Sequence, residues 1–293
     1  MTLNLRILLL TTLALLAFAA NSVLCRNALL GGHIDPGLFS IIRLSSGALT
    51  LYALVFILKR PLKNSGSWAA GIALCLYAVS FSYAYITLDT GSGALILFAC
   101  VQFTIIGTSV WRGERFTAAE WIGTGLAFAG FVYLIAPQVH TPSAAGLLLM
   151  AIAGAAWGGY TIMGRTSKDA LADTAFNFLR SLPFLGVILV LYLSNSQLGN
   201  NLNLQPHSSN YGIILAVLSG TLASGAGYAL WYSVLPKLST VTSALAQLLV
   251  PLLAAAGGLL FSAETVKTEL FIAAAMILSG IALATILKGK SRR

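Results

Sequence analysis

One pattern of residues is written twice along this chain. Phe18 and Arg26 recur as Trp157 and Arg165, 139 positions later. Arg43 recurs as Arg180 at a shift of 137. Ala94, Gly107, Glu114 and Gly130 recur as Ala244, Gly257, Glu264 and Gly280 at a shift of 150. A near-constant shift across whole halves describes two copies of one large unit, not a solenoid of short repeats. The residues between these marks are almost continuously apolar, so each unit has to be a membrane bundle.

Composition bears this out as a constraint. Only 9% of the residues are charged and 58% are hydrophobic, where a soluble domain carries about 25% charged residues. A spanning helix needs about 20 apolar residues. Ten runs of that kind occur, at about 5–27, 36–58, 68–88, 91–111, 118–137, 144–165, 171–193, 211–233, 239–261 and 267–287. They lack the alternation that the strands of a closed barrel require. Several connections carry turn or cap chemistry, such as Gly31-Gly32, Asp35-Pro36 and Asn64-Ser65-Gly66. The stretch 194–210 is polar and uncharged and is expected to be a flexible external loop. Arg6 and Ala17-Phe18-Ala19 give the first run some features of a cleaved leader. Its apolar character continues past Ala19, however, and cleavage would delete one member of the repeat.

The net charge of +9, from 17 Lys+Arg and 8 Asp+Glu, sits mainly between the apolar runs. With the N-terminus inside, 13 of the 17 basic residues fall on the inner side, the bias expected of a topology signal. That distribution, without any nucleic-acid-reading motif, excludes a nucleic-acid partner. Five spans per copy is an odd number, so the second copy must run upside down. The expectation is an all-α membrane protein. It has ten transmembrane helices in two inverted-topology five-helix repeats, 1–139 and 140–293, with both termini cytoplasmic. Cys25, Cys75 and Cys100 lie within apolar runs and are odd in number, which fits buried thiols better than disulfides or a metal site.

Three marks carry a family resemblance. They are the aromatic-x7-Arg of the first and sixth spans, Arg43 early in the second, and SALAQLLVPLLAAAGGLLFSAE from Ser243 to Glu264. With these in order and in two copies, the chain resembles the ten-helix, EamA-like branch of the drug/metabolite transporter superfamily over essentially its whole length. Tyr228-Ala229-x-Trp231 looks similar to the branch that exports aromatic amino acids. The resemblance implies export or exchange of small metabolites, and the inverted duplication adds alternating access; a monomer in the bacterial inner (plasma) membrane is expected. Amino acids with aromatic or apolar side chains are the expected solutes. Its partners would be the lipid bilayer and a small-molecule substrate, with no cofactor and no metal. Pro251 of the ninth span departs from symmetry, since Val101 stands at its counterpart in the fourth. A multidrug exporter or a lipid flippase of the same fold is the alternative. A membrane enzyme or ligand-binding module is another, but no Ser/His pair, metal cluster or phosphate loop supports it.

Within the spans, polar residues select themselves as candidates. An embedded arginine costs about 2.5–3.5 kcal/mol on insertion scales, so Arg43 and Arg180 need a reason. Either they hold a substrate carboxylate, or they bond the carbonyl ends of neighbouring helices; their duplication favours the scaffold role. Glu114 and Glu264 close the fourth and ninth spans and are expected to be structural, paired with arginines. Tyr77, Trp157, Tyr160 and Tyr228 lie at depth, as do Asn21, Gln102 and Gln247. These seven are the expected substrate contacts, with aromatic walls for a flat solute and amides for its polar end. No Asp or Glu lies mid-span, and His33, His140 and His207 map to outer segments. Direct proton coupling therefore lacks a carrier, and facilitated transport or exchange is expected. Gly154 and Gly158 form a GxxxG seam, and Pro183 and Pro251 should kink their helices.

Overall fold

The computed structural model describes residues 5–60, 65–113, 116–135, 144–197, 207–264 and 268–291. Glu114 lies outside these residues. The chain forms ten helical rods. Seven are α1 (Leu5–Leu30), α2 (Pro36–Ile57), α3 (Trp68–Ala84), α4 (Thr90–Trp111), α5 (Ala118–Ile135), α6 (Ala144–Gly164) and α7 (Ala170–Gln197). The eighth, α8 (Asn210–Lys237), contains a π-helical segment, Ser219–Ala226. The ninth, α9, is in two pieces, Thr240–Gln247 and Val250–Phe261. The last is α10 (Thr268–Ser291). Among the described residues, five rods are long and apolar enough to cross a membrane by themselves: α1, α2, α4, α6 and α8. Among the described residues there is no sheet, only an isolated bridge between Ile34 and Ser208.

Local chemistry starts and stops these helices. Asp35 caps α2 by accepting from Gly37 N at 2.7 Å and Leu38 N at 3.1 Å, with Pro36 following it. That is the expected arrangement of a carboxylate N-cap before an N1 proline. Thr117 and Glu120 form a reciprocal capping box at α5, with Thr117 N donating to Glu120 Oε2 at 2.9 Å and Glu120 N to Thr117 Oγ1 at 3.3 Å. The prolines behave differently from one another. Pro183 sits inside an unbroken α7. Pro251 follows the break in α9, whose first piece ends at Gln247. Gln247 is four residues before Pro251, where the ring displaces the carbonyl and the hydrogen bond is lost. Two details differ from the sequence expectation. Residues 194–197, read as loop, complete the last turn of α7, and 198–206 lie outside the described residues. The π-helical turn of α8 has no signature in the apolar pattern.

The rim of the molecule is apolar where that of a soluble protein is polar, and the largely apolar interior holds a minority of polar side chains. Trp111 is 88% exposed and Phe56 81%, while Ser40, Ser82, Thr161, Ser181 and Ser219 are fully buried. Lipid solvates the apolar rim, and polar atoms find partners only within the bundle. α1 packs on α8 and α9, and α6 packs on α3 and α4. α4 crosses α9, α2 lies against α7 and the π-helical part of α8, and α5 pairs with α10 to one side. Small residues set the closest approaches. A Cβ on Gly154 would lie 2.6 Å from Cys100 Cβ, and one on Gly158 would lie 2.7 Å from Thr104 Cβ. Only glycine lets α6 come that near to α4.

Candidate functional site

Side chains from α1, α2, α3, α6, α7, α8 and α9 meet in one buried cluster. Trp157 is at its centre. Its ring lies 4.7 Å from Tyr228, 5.3 Å from Phe18 and from Tyr77, and 5.5 Å from Tyr160. These separations are those of attractive edge-on and tilted aromatic pairs. The indole Nε1 donates to Gln247 Oε1 at 2.9 Å, and Gln247 Nε2 donates to Ser243 O at 3.2 Å. The break before Pro251 places Gln247 at a helix end, where its amide can turn inward. Trp157, Tyr160, Tyr77, Tyr228 and Gln247 are all buried.

A polar chain runs beside the aromatic rings. Ser219 Oγ donates to Asn21 Oδ1 at 2.6 Å, and Asn21 Nδ2 donates to Tyr77 Oη at 3.2 Å. Arg43 Nη2 donates to the same Tyr77 oxygen at 3.0 Å and to Tyr228 Oη at 3.3 Å. Arg43 Nε donates to Ser224 Oγ at 2.9 Å. Ser219 and Ser224 both belong to the π-helical segment. Hydrogen bonds from i to i+5 in that segment bring residues five apart onto one face. An unbroken α-helix would turn one of the two serines away.

Of the seven expected substrate contacts, six are brought together: Asn21, Tyr77, Trp157, Tyr160, Tyr228 and Gln247. Gln102 faces a separate cavity of about 230 Å³ between α4 and α5, with Phe103, Trp121, Phe128 and Leu248 among its walls. Of the four expected structural residues, Glu264 and Arg180 lie at the ends and edge of the bundle, while Arg43 is at its centre. Arg180 is half-buried; its Nη1 donates to Ser65 O, and its guanidinium lies 5.8 Å from the Trp68 ring centre. Residues not among the expected contacts also take part. Phe178 packs on Tyr228 at 5.4 Å, and Trp231 on Phe18 at 5.7 Å. Asn177 Nδ2 reaches Tyr160 Oη at 3.5 Å. A lone amide three residues before Arg180 was the available signal for Asn177.

The two ends of the bundle differ. At one end, Arg26 Nη1 donates to Tyr85 O at 2.9 Å, and Nε lies 3.4 Å from Glu264 Oε1. Glu264 also accepts from Thr90 N at 3.0 Å and from Thr90 Oγ1 at 3.0 Å. These bonds tie α1, α3, α4 and α9 together. At the other end, a polar cleft of about 470 Å³ opens among α3, α4, α6 and α7, lined by Ser67, Arg112, Thr166, Ser167, Asp173 and Asn177. Asn177 therefore touches the cleft on one side and Tyr160 of the buried cluster on the other.

Ten helices with an apolar rim, and an apolar interior that holds a polar and aromatic cluster, define a multi-pass membrane protein. The chain belongs to the EamA-like transporter family, whose model matches it twice, over residues 5–136 and 144–286. Members of this family are membrane transporters of small metabolites and not enzymes. The chain is 44% identical over 279 residues to "Uncharacterized protein PA1977" of Pseudomonas aeruginosa, covering 95% of this chain and 94% of that one. A protein crystal structure superposes with a TM-score of 0.72 at 19% identity, covering 96% of this chain and 98% of the other. At that identity the likeness concerns the fold alone.

Proposed function

We propose that this protein exports amino acids with aromatic or apolar side chains across the bacterial inner membrane, as a monomer, by alternating access. The observation that carries the proposal is the buried cluster around Trp157, built from both halves of the chain. Its rings match a flat or apolar side chain, and its amides and hydroxyls match a polar end. All ten rods would span, in two inverted copies with both termini cytoplasmic. The two family matches support the copies. So does the packing, because the principal contacts survive exchange of each helix with the one five places on. Thus α1 on α8 corresponds to α6 on α3, α1 on α9 to α6 on α4, and α2 on α8 to α7 on α3. The pairs α2–α7, α4–α9 and α5–α10 map onto themselves.

On this topology the Arg26–Glu264 end faces outward and is shut, and the polar cleft faces the cytoplasm. A solute would enter by the cleft past Asn177, displace the mutual packing of Trp157, Tyr160 and Tyr228, and leave after the outer ties open. Counterflow in proteoliposomes tests the reading. Liposomes preloaded with unlabelled phenylalanine, leucine or tryptophan should accumulate the same labelled amino acid faster than protein-free liposomes. Absence of counterflow for every aromatic and apolar amino acid would sink the substrate assignment.

A further inference from the structure

We infer that Arg43 is the anchor for an anionic head on the solute, so that the substrate class is set by a carboxylate and not by an ammonium group. The inference rests on the transport reading of this cluster and adds a specificity rule to it. Arg43 is fully buried, yet among the described residues no carboxylate lies within ion-pair distance of it. Its Nη1 has no hydrogen-bond partner among the described residues. A buried cation without an opposite charge is a costly arrangement that an arriving anion would relieve.

The kind of partner Arg43 does have points the same way. Arg26, Arg165 and Arg180 each donate to a backbone carbonyl: Arg26 to Tyr85 O, Arg165 to Leu238 O and Arg180 to Ser65 O. The hydrogen bonds found for Arg43 end only on hydroxyls, those of Ser224, Tyr77 and Tyr228. A carbonyl can only accept, so it solvates a guanidinium N–H and offers no donor to an anion. A hydroxyl both accepts and donates. The Tyr77 oxygen already accepts from Arg43 and from Asn21, which leaves its own O–H as a donor. Nη1 keeps its N–H donors free, and the Tyr77 and Tyr228 hydroxyls that accept from the neighbouring Nη2 each keep an O–H to donate. Free donors on a buried positive charge fit a carboxylate, which would accept a charge-assisted hydrogen bond from Nη1.

Aromatic rings beside Arg43 would pack on the apolar remainder of the solute once their mutual packing opens. The Tyr77 and Phe81 rings lie 5.0 Å and 5.1 Å from the Arg43 guanidinium, and Trp157 stacks on Tyr77. No Asp or Glu side chain is among the hydrogen-bond partners of this network. A solute ammonium therefore has no fixed opposite charge there, and the α-amino group of an amino acid is dispensable.

Binding by the purified protein decides the point, read from quenching of intrinsic tryptophan fluorescence. The probes are 3-phenylpropionate, phenylalanine and phenethylamine. The two carboxylates should bind within about threefold of each other, and phenethylamine at least tenfold more weakly. Arg43→Gln should weaken 3-phenylpropionate at least tenfold, Arg43→Lys should retain part of the affinity, and Arg180→Gln should keep the carboxylate preference. Equal binding of phenethylamine and 3-phenylpropionate, unchanged affinity in Arg43→Gln, or no carboxylate binding at millimolar concentration overturns the inference. The wild-type comparison stands alone if Arg43→Gln does not fold. Amino-acid counterflow without any charge preference would overturn the anchor and leave the transport reading. Carboxylate binding without amino-acid counterflow would do the reverse.

Discussion

Replacing Glu264 by glutamine should loosen the tied end of the bundle. The carboxylate accepts from Thr90 N at 3.0 Å, from Thr90 Oγ1 at 3.0 Å, and from Arg26 Nε at 3.4 Å. Glutamine keeps one acceptor for Thr90 but turns an amide NH₂ toward another donor and removes the charge. Breaking a fully buried ion pair costs about 3–5 kcal/mol, and an exposed one contributes about 0–1 kcal/mol. Here the side chains of Arg26 and Glu264 are 9% and 17% exposed. The pair is also long and shares Arg26 with the Tyr85 carbonyl, so about 1–2 kcal/mol is the appropriate estimate. At about 1.4 kcal/mol per tenfold, the open fraction of this end rises roughly 5- to 30-fold. The reporter is Ser22→Cys, buried on α1 one turn before Arg26, with Cys25, Cys75 and Cys100 changed to serine. Its alkylation by a water-soluble maleimide should accelerate by the same factor in Glu264→Gln. Asp89 is 64% exposed, so Asp89→Asn should change the rate less than twofold. An unchanged rate in Glu264→Gln, or an equal effect of Asp89→Asn, would refute the assignment of the closing contact to Glu264.

Two further outcomes follow from the packing. Trp157→Phe should destabilise the detergent-solubilised protein by about 1–2 kcal/mol, because Gln247 Oε1 loses its donor in a buried site. Adding Gln247→Leu should recover part of that loss; strict additivity in thermal unfolding would show that the two residues do not interact. Gly154→Ala should lower thermal stability, since its Cβ would meet Cys100 Cβ at 2.6 Å, whereas Gly159→Ala on the same helix has nothing within 4 Å to meet. The second change should be neutral or gain up to about 1 kcal/mol of helix propensity, and equal effects of the two would refute the close crossing of α6 and α4.

What could be read in the sequence was whatever periodicity and burial decide. Long apolar runs bounded by Asp35-Pro36 or Thr117-x-x-Glu120 become helices because no other backbone satisfies itself in lipid. Deep Tyr and Trp converge because the interior is the one place where their polar tips find partners. The π-helical turn of α8 escaped for a physical reason. It inserts without changing composition, and its small residues Ser219, Gly220, Ser224 and Gly225 read equally well as a packing seam. Gln102 was misjudged in its direction, since depth in a span says nothing about which neighbour a side chain faces. It lines the cavity between α4 and α5 together with Leu248.

The arginines show why a duplicated sequence is an incomplete guide to role. Arg43 and Arg180 hold equivalent positions, and the repetition alone assigns both to the scaffold. A central site cannot use both as charges, however. Two guanidinium groups about 4 Å apart repel by roughly 4 kcal/mol at an effective dielectric of 20. One of the pair has to be removed from the centre or neutralised. Arg180 donates to Ser65 O and lies between the Trp68 and Phe176 rings, half-buried at the rim. Arg43 is fully buried among hydroxyls that belong to α3 and α8. Ser224 reaches it from the π-helical turn, while the matching helix α3 presents Tyr77 and is α-helical throughout. Local winding, and with it the choice of hydroxyl or carbonyl as neighbour, thus gives two copies of one residue different work. The decisive comparison between repeats is the hydrogen-bond partner of each arginine, because that partner fixes which donors remain for an anion.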